Sequence, residues 1–369
     1  MSGGVQPPKI KILVAPLDWG LGHATRCIPV IKQLLASGCE VLLAGERRTE
    51  TLLRTEFPQL TFLPLKGYRI NYGKNKWMLL SRIFLQTPKI LKTIAYENSW
   101  LKEVIKKYKI HAVISDNRHG LYNATIYCVF ITHQLLIKTS LGKTADALLQ
   151  KINYKYIHQF NECWIPDVDL EITLAGELAH PSVMPKIPVQ YVGLLSRFKY
   201  RQLILQAHYI LVLLSGPEPQ RTILEKKILA ELVHNQQPVL FIRGLPGNKE
   251  SPPVPRHVTI YNHLSTNALQ QAMEQASFII SRCGYSTVMD VMTMQKKSIL
   301  IPTPGQAEQE YLAKHLMKQQ FAFCVTQSKF KLQKAIELAG SFHYQFEGFK
   351  NSALKDTINE LVLKSQKRV

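Results

Sequence analysis

Short β-branched apolar runs alternate along this chain with stretches whose apolar residues return every three or four positions. KILVAP at 11–16 is followed by a segment in which Cys27, Ile28, Ile31, Leu34 and Leu35 share one helical face. Past Gly38 comes EVLLAG at 40–45, so strand, helix and strand form a βαβ unit. LTFLP (60–64), HAVISD (111–116) and CVFITH (128–133) add further strands. Such near-continuous apolar strands, separated by helices, predict a parallel sheet covered on both faces.

Between Ala179 and Tyr200 the pattern lapses, and Pro181, Pro185 and Pro188 mark 179–200 as a linker. Alternation then restarts with strands at HYILVLLSG (208–216), QPVLFIRG (237–244), HVTIY (257–261), SFIIS (277–281) and KSILIP (297–302). Helices are predicted near 221–234, 265–275, 285–293 and 307–319. Leu354, Ile358, Leu361 and Val362 share a face in a final helix that packs across the domain boundary. The predicted fold class is α/β, with two doubly wound, Rossmann-like parallel-sheet domains, 1–178 and 201–369, facing a cleft.

Composition narrows the partners. The 369 residues are 46% hydrophobic and 20% charged, ordinary values for a globular protein. A net charge of +20 favours anionic partners. Cysteines at 27, 39, 128, 163, 283 and 324 form no C-x-x-C pair, so neither a disulfide framework nor a metal site is predicted. The first residues lack the apolar core of a signal peptide, and no apolar run reaches the roughly 18–20 residues of a membrane span, so a cytoplasmic location is expected.

Open α/β sheets bind ligands at the carboxyl ends of their strands, and the polar motifs of this chain cluster there. In WGLGHATRCIP, Gly20 and Gly22 permit a tight turn, and Pro29 near a helix start leaves His23 in the loop before it, facing the cleft. Thr25 replaces the third glycine of a dinucleotide fingerprint, whereas Glu46 with Arg47 and Arg48 after the second strand keeps a dinucleotide reading open. Asp116 follows another strand and could hold the far nitrogen of His23, the usual support for a general base. His119 and His133 lie at strand ends on the same, acceptor, side.

In the second half, SRCGYSTVMD joins a strand to a helix start. Amides from Gly284 to Thr287, with the Ser286 and Thr287 hydroxyls, suit a diphosphate, and Asp290 one turn later suits a ribose diol. Gln306, Glu308, Gln309 and Glu310 follow the next strand and suit sugar hydroxyls, while Gly216 in LLSGPEPQR offers another phosphate-approaching turn. Arg282 or Arg221 could meet the charge developing on a leaving diphosphate.

With these motifs the chain resembles the GT-B glycosyltransferases, among them the peptidoglycan N-acetylglucosaminyltransferases. The likeness covers nearly the whole chain, through GLGHATRCIP, SRCGYSTVMD and PGQAEQEYLA. It implies an acceptor-binding first domain, a second domain that takes a UDP-sugar, and inverting transfer with no metal or other cofactor. It further implies His23 as the loop histidine, Asp116 as its supporting acid, Gly284–Thr287 at the diphosphate, Asp290 at the ribose and Gln309 at the sugar. Three departures stand out: only Gly216 remains of the phosphate loop's glycines, aspartate replaces glutamate at 290, and Glu310 replaces the pair's second glutamine.

From Lys66 to Lys109 eleven basic residues face only Glu97 and Glu103. With WMLLSRIFL at 77–85 interleaved, this predicts peripheral docking on an anionic membrane surface, on the inner face of the plasma membrane, which would bring a lipid-linked or glycolipid acceptor to His23. A nucleotide-sugar epimerase or hydrolase on the same scaffold is the rival enzyme, and a non-catalytic anionic-lipid or nucleic-acid binder is the rival from another class. For the transferase no nucleic-acid partner is expected.

Overall fold

The computed structural model describes residues 9–69, 76–139, 141–201, 209–349 and 353–368, and in the first long helix side chains from Thr87 onward. In the amino-terminal half the chain runs β1 (Lys11–Pro16), α1 (Leu21–Ala36), β2 (Glu40–Gly45), α2 (Arg47–Glu56), β3 (Thr61–Pro64) and α3 (Lys76–Tyr108). It continues through β4 (Ala112–Asp116), β5 (Tyr127–Ile131), α4 (Lys143–Ile157), β6 (Glu162–Ile165), a 3₁₀ turn (Gly176–Leu178) and β7 (Val189–Tyr191). The carboxy-terminal half comprises β8 (Tyr209–Leu213), α5 (Gln220–Leu232), β9 (Val239–Ile242), β10 (Val258–Tyr261), α6 (Thr266–Glu274) and β11 (Ala276–Arg282). Then follow α7 (Tyr285–Thr293), β12 (Ser298–Ile301), α8 (Ala307–Lys318), β13 (Phe323–Cys324), α9 (Leu332–Gly340) and α10 (Ala353–Gln366).

Two parallel sheets result, ordered β3-β2-β1-β4-β5-β6-β7 and β10-β9-β8-β11-β12-β13. Their central strands are apolar because both faces are covered: Ile12, Leu13, Val14 and Ala15 of β1 and Ala112, Val113 and Ile114 of β4 are fully buried. In each sheet the strand order reverses once, at β1/β4 and at β8/β11, and crevices open at such switch points. Those two places carry the polar motifs.

Three details differ from the sequence pattern. Val189–Tyr191, inside the proline-rich stretch, pair with β6 as a parallel edge strand, where few ladder bonds are needed and flanking prolines are tolerated. Gly20, with φ 93°, ends the turn early, so α1 begins at Leu21 and His23 lies in its first turn rather than in the loop. Pro29 consequently sits inside the helix.

The two halves share a hydrophobic core. Tyr285, Met289 and Leu312 of the second half, and Ile358 and Leu361 of α10, lie in one buried cluster with β1 and β4. α10 packs on α1 and β5 of the first half. Its Lys364 pairs with buried Glu162 at 2.9 Å, and Arg368 donates to the Ile126 carbonyl at 2.7 Å. No helix among the described residues is long and apolar enough to cross a membrane.

Candidate active site

The site grows from the register of β1 and β4, which sets Pro16 opposite Asp116 at the sheet's carboxyl edge. The next turn of chain lifts His23 over that edge. Its Nδ1 lies 3.0 Å from Asp116 Oδ1. Asp116 is fully buried and also receives Arg26, through Nε to Oδ2 at 2.7 Å and through Nη2 to Oδ1. Burial alone would push this carboxyl up, but the Arg26 and His23 charges and hydrogen bonds outweigh it and hold it well below the usual carboxylate range. An ionised carboxylate only accepts, so Nδ1 of His23 carries a proton, and in the neutral ring the lone pair is on Nε2. The ring is 16% exposed.

Arg26 also points its Nη1 at His133 Nδ1, 2.9 Å away. A guanidinium only donates, so His133 accepts at Nδ1 and carries its proton on Nε2, which donates to Glu308 Oε1 at 2.9 Å. Burial lowers the His133 pKa, consistent with a neutral ring. Burial raises Glu308, but the hydrogen bond from His133 outweighs it and holds the carboxyl low. Tyr285 stacks on the His133 ring at 4.2 Å and donates through its hydroxyl to the Pro166 carbonyl. Sequence reasoning missed Arg26 altogether. Its signal was present, since i+3 on a helix shares the face of His23.

The glycine loop and the second half meet directly. Ser286 Oγ donates to the Gly22 carbonyl at 2.9 Å, and a Cβ on Gly22 would lie 2.9 Å from that oxygen. Only glycine fits there without movement. Gly284 precedes the first turn of α7, which holds Ser286 and half-buried Thr287. Gly216, with φ 106°, shapes the turn after β8. Arg282 at the end of β11 is buried and donates to the carbonyls of Gln220 (2.6 Å), Pro302 (3.4 Å) and Ile301 (3.5 Å). No carboxylate pairs with it among the described residues, and burial lowers its pKa to about 10, which leaves it cationic at neutral pH. Arg221, by contrast, is already neutralised by Glu218 and Glu225, each at 2.6 Å.

Several expected contacts fall elsewhere. Gln309 accepts from the Thr303 amide at 2.9 Å and Glu310 from the Gly305 amide at 2.8 Å, while the Gln306 amide donates to the Thr303 carbonyl. These three residues brace the loop before α8. His119 is a packed histidine: Nε2 meets Asn153 Oδ1 at 3.0 Å, and the ring lies 4.9 Å from Phe130 and 5.7 Å from Tyr156. Burial lowers its pKa. Glu46 is committed to the Gly67 amide and Arg69, which removes it as a ribose-binding acid and weakens the dinucleotide reading.

Asp290 turns into the linker. Its Oδ1 accepts from Ser196 Oγ at 2.6 Å, and the Arg197 Nε stands 4.0 Å from Oδ2. Burial pushes the carboxyl up to about 6 even against the attraction of Arg197. A carboxyl raised in the folded state costs stability as pH climbs through that value. Asp290→Asn, which keeps an acceptor for Ser196 and cannot ionise, should therefore raise stability by up to about 3 kcal/mol at pH 8 and by nothing below pH 4. Denaturant titrations at the two pH values check this. A large loss of nucleotide affinity with no stability gain would instead return Asp290 to the pentose.

Comparisons with known proteins agree with the fold. Residues 221–365 match the model of the glycosyltransferase family 28 C-terminal domain. An uncharacterised glycosyltransferase of Methanosarcina mazei is 22% identical over 330 residues, 82% of each chain. The UDP-N-acetylglucosamine–N-acetylmuramyl-(pentapeptide) pyrophosphoryl-undecaprenol N-acetylglucosamine transferase of Buchnera aphidicola is 23% identical over 335 residues, 87% of this chain and 86% of that one. Among solved structures, the glycotransferase of kitacinnamycin superposes with a TM-score of 0.61 at 12% identity, over 98% of this chain and 96% of that one. The chain is a glycosyltransferase with the GT-B fold, and its residues 221–365 are similar to the family 28 C-terminal domain.

Proposed function

We propose that this enzyme moves a sugar from a UDP-sugar to an acceptor hydroxyl with inversion, without a metal ion or other cofactor. The observation that carries the reading is the His23–Asp116 pair, an imidazole whose Nδ1–H is held by an ionised carboxylate, which leaves Nε2 for an acceptor proton. His23 Nε2 takes the acceptor proton as the oxygen attacks the anomeric carbon, and the bond from that carbon to the diphosphate breaks on the opposite face. One displacement inverts the centre. The departing charge meets the first-turn amides of α7, the Gly216 turn and the unpaired Arg282. The Thr303–Gln306 loop, braced by Gln309 and Glu310, flanks the sugar. A UDP-sugar donor is the reading favoured by the Buchnera relative, whose name specifies that donor class.

Thermal shift with nucleotides tests this. UDP at about 100 times its dissociation constant should stabilise the protein by ~2.7 kcal/mol. No response to UDP beside a response to NADPH would reverse the choice of ligand.

A lipid-linked acceptor reached from an anionic membrane surface is the second part of the reading. Trp77–Leu85, the apolar part of the segment at 66–109, has side chains outside the described residues. What is described supports it. Lys66, Arg69, Lys89 and Lys92, with Pro88 and Tyr96, line a groove of about 550 Å³. Glu97 is buried against Arg118 at 2.8 Å and subtracts nothing from the surface charge. On neighbouring α4, Leu148 and Ile152 are exposed one turn apart, beside exposed Lys151 and Lys155. Co-sedimentation with anionic vesicles at low salt, lost at high salt, is the expected result; no binding at low salt would remove the membrane from the account.

A further inference from the structure

Glu308, Tyr311 and Tyr285 come from the second half, yet each finds its hydrogen-bond partner in the first. On α8, positions 308, 311 and 315 share one face. Glu308 accepts from His133 at 2.9 Å and from Gln134 Nε2 at 2.5 Å, the Tyr311 hydroxyl accepts from the Glu177 amide at 2.7 Å, and His315 Nε2 meets the Thr173 carbonyl at 2.8 Å. The other two neighbours of Glu308, Gln309 and Glu310, brace the loop placed above at the donor sugar. One helix thus touches both the donor loop and the acceptor half.

We infer that Glu308 is a positioning residue for His23, acting through the continuous chain Glu308–His133–Arg26–Asp116–His23, so that the base is aligned only while the two halves are closed. The geometry leaves little freedom along this chain. Arg26 spends Nε and Nη2 on Asp116 and Nη1 on His133, so its plane is fixed from both sides. His133 Nδ1 accepts from Arg26 only while its proton is on Nε2, and Glu308 is the carboxylate that holds the proton there. Were the second half withdrawn, Tyr285, stacked on the same ring, would leave with Glu308. His133 would then be free to change tautomer, and Arg26 would lose one of its two anchors. The inference rests on His23 being the base, and it assigns to the donor half a part in setting that base.

The test needs no known acceptor. Histidine ring ¹⁵N–¹H spectra of the full chain, with the His23 signals identified by their absence in His23→Ala, report tautomer and titration directly. The charged and titratable groups around His23 are Asp116, Arg26, His133 and Glu308. Glu308→Gln keeps an acceptor for His133 but gives up the carboxylate that fixes the proton on its Nε2, so the ring ¹⁵N–¹H signals of His133, and with them the Nδ1–H signal of His23, should move. Glu308→Ala should also let His133 populate both tautomers. An unmoved His23 Nδ1–H signal in a folded Glu308→Gln protein overturns the inference. So does wild-type His133 carrying its proton on Nδ1 between about pH 6 and 8, a result that requires no variant. Full turnover in His23→Ala would defeat the base reading instead, and leaves these spectra to be judged separately.

Discussion

His23→Ala is expected to lower turnover by about 10²–10⁴-fold while UDP binding stays essentially unchanged. The separation follows from the layout. The imidazole rises from the first turn of α1 and touches Asp116 of β4, whereas the proposed diphosphate contacts lie at α7, the Gly216 turn and Arg282. Removing the ring removes the proton acceptor and no group assigned to the nucleotide. A donor-hydrolysis assay beside the transfer assay sharpens the result, since both reactions need an oxygen nucleophile deprotonated at the same place. Equal activity in variant and wild type would show that the acceptor proton leaves by another route. A parallel loss of UDP affinity would show that His23 belongs to the donor site.

Arg26→Leu is expected to destabilise the fold by about 3–5 kcal/mol at pH 7, because it leaves Asp116 ionised, buried and short of its main partner. The sign of the pH dependence follows from the lowered Asp116 pKa. In the wild type the stability this carboxylate contributes is present above the ordinary aspartate value near 3.8 and fades as pH falls toward the folded-state value. In the variant the carboxyl titrates higher, so neutral pH is where the damage is greatest. Denaturant unfolding at pH 7 and at pH 4 should show the gap between the two proteins narrowing on acidification, and Asp116→Asn in the Arg26→Leu background should recover part of the loss. A gap of the same size at both pH values would mean that Arg26 acts by packing its bulk rather than its charge.

Much of this arrangement was legible along the chain. β1, β2, β4 and β5 are apolar on both faces and stand out from their flanks, and His23, past the end of β1, and Asp116, the last residue of β4, were readable as polar groups at a sheet's carboxyl edge. What stayed hidden depends on reach between distant segments. β7 has only three residues and is flanked by Pro188, so it carries no periodic signal; it exists because β6 offers it an edge. Asp290 has the spacing of a pentose ligand, and nothing near it in sequence reveals that Ser196, 94 residues earlier, takes its oxygen. Glu308 was visible as one of four polar residues opening α8, but only folding shows that it alone crosses to His133 while Gln309 and Glu310 fold back onto their own loop. His119 read as a site residue because it follows a strand; its ring was claimed by Phe130, Tyr156 and Asn153.

The return of α10 to the first half bears on how the protein comes into being. Ile358 and Leu361 seal apolar surface laid down by α1 and β5, more than three hundred residues before them in places. During synthesis that surface must stay open until the segment at 353–366 leaves the ribosome, so the amino-terminal half cannot mature ahead of the rest. Nascent chains halted before that helix should expose a sticky face that chaperones would have to cover.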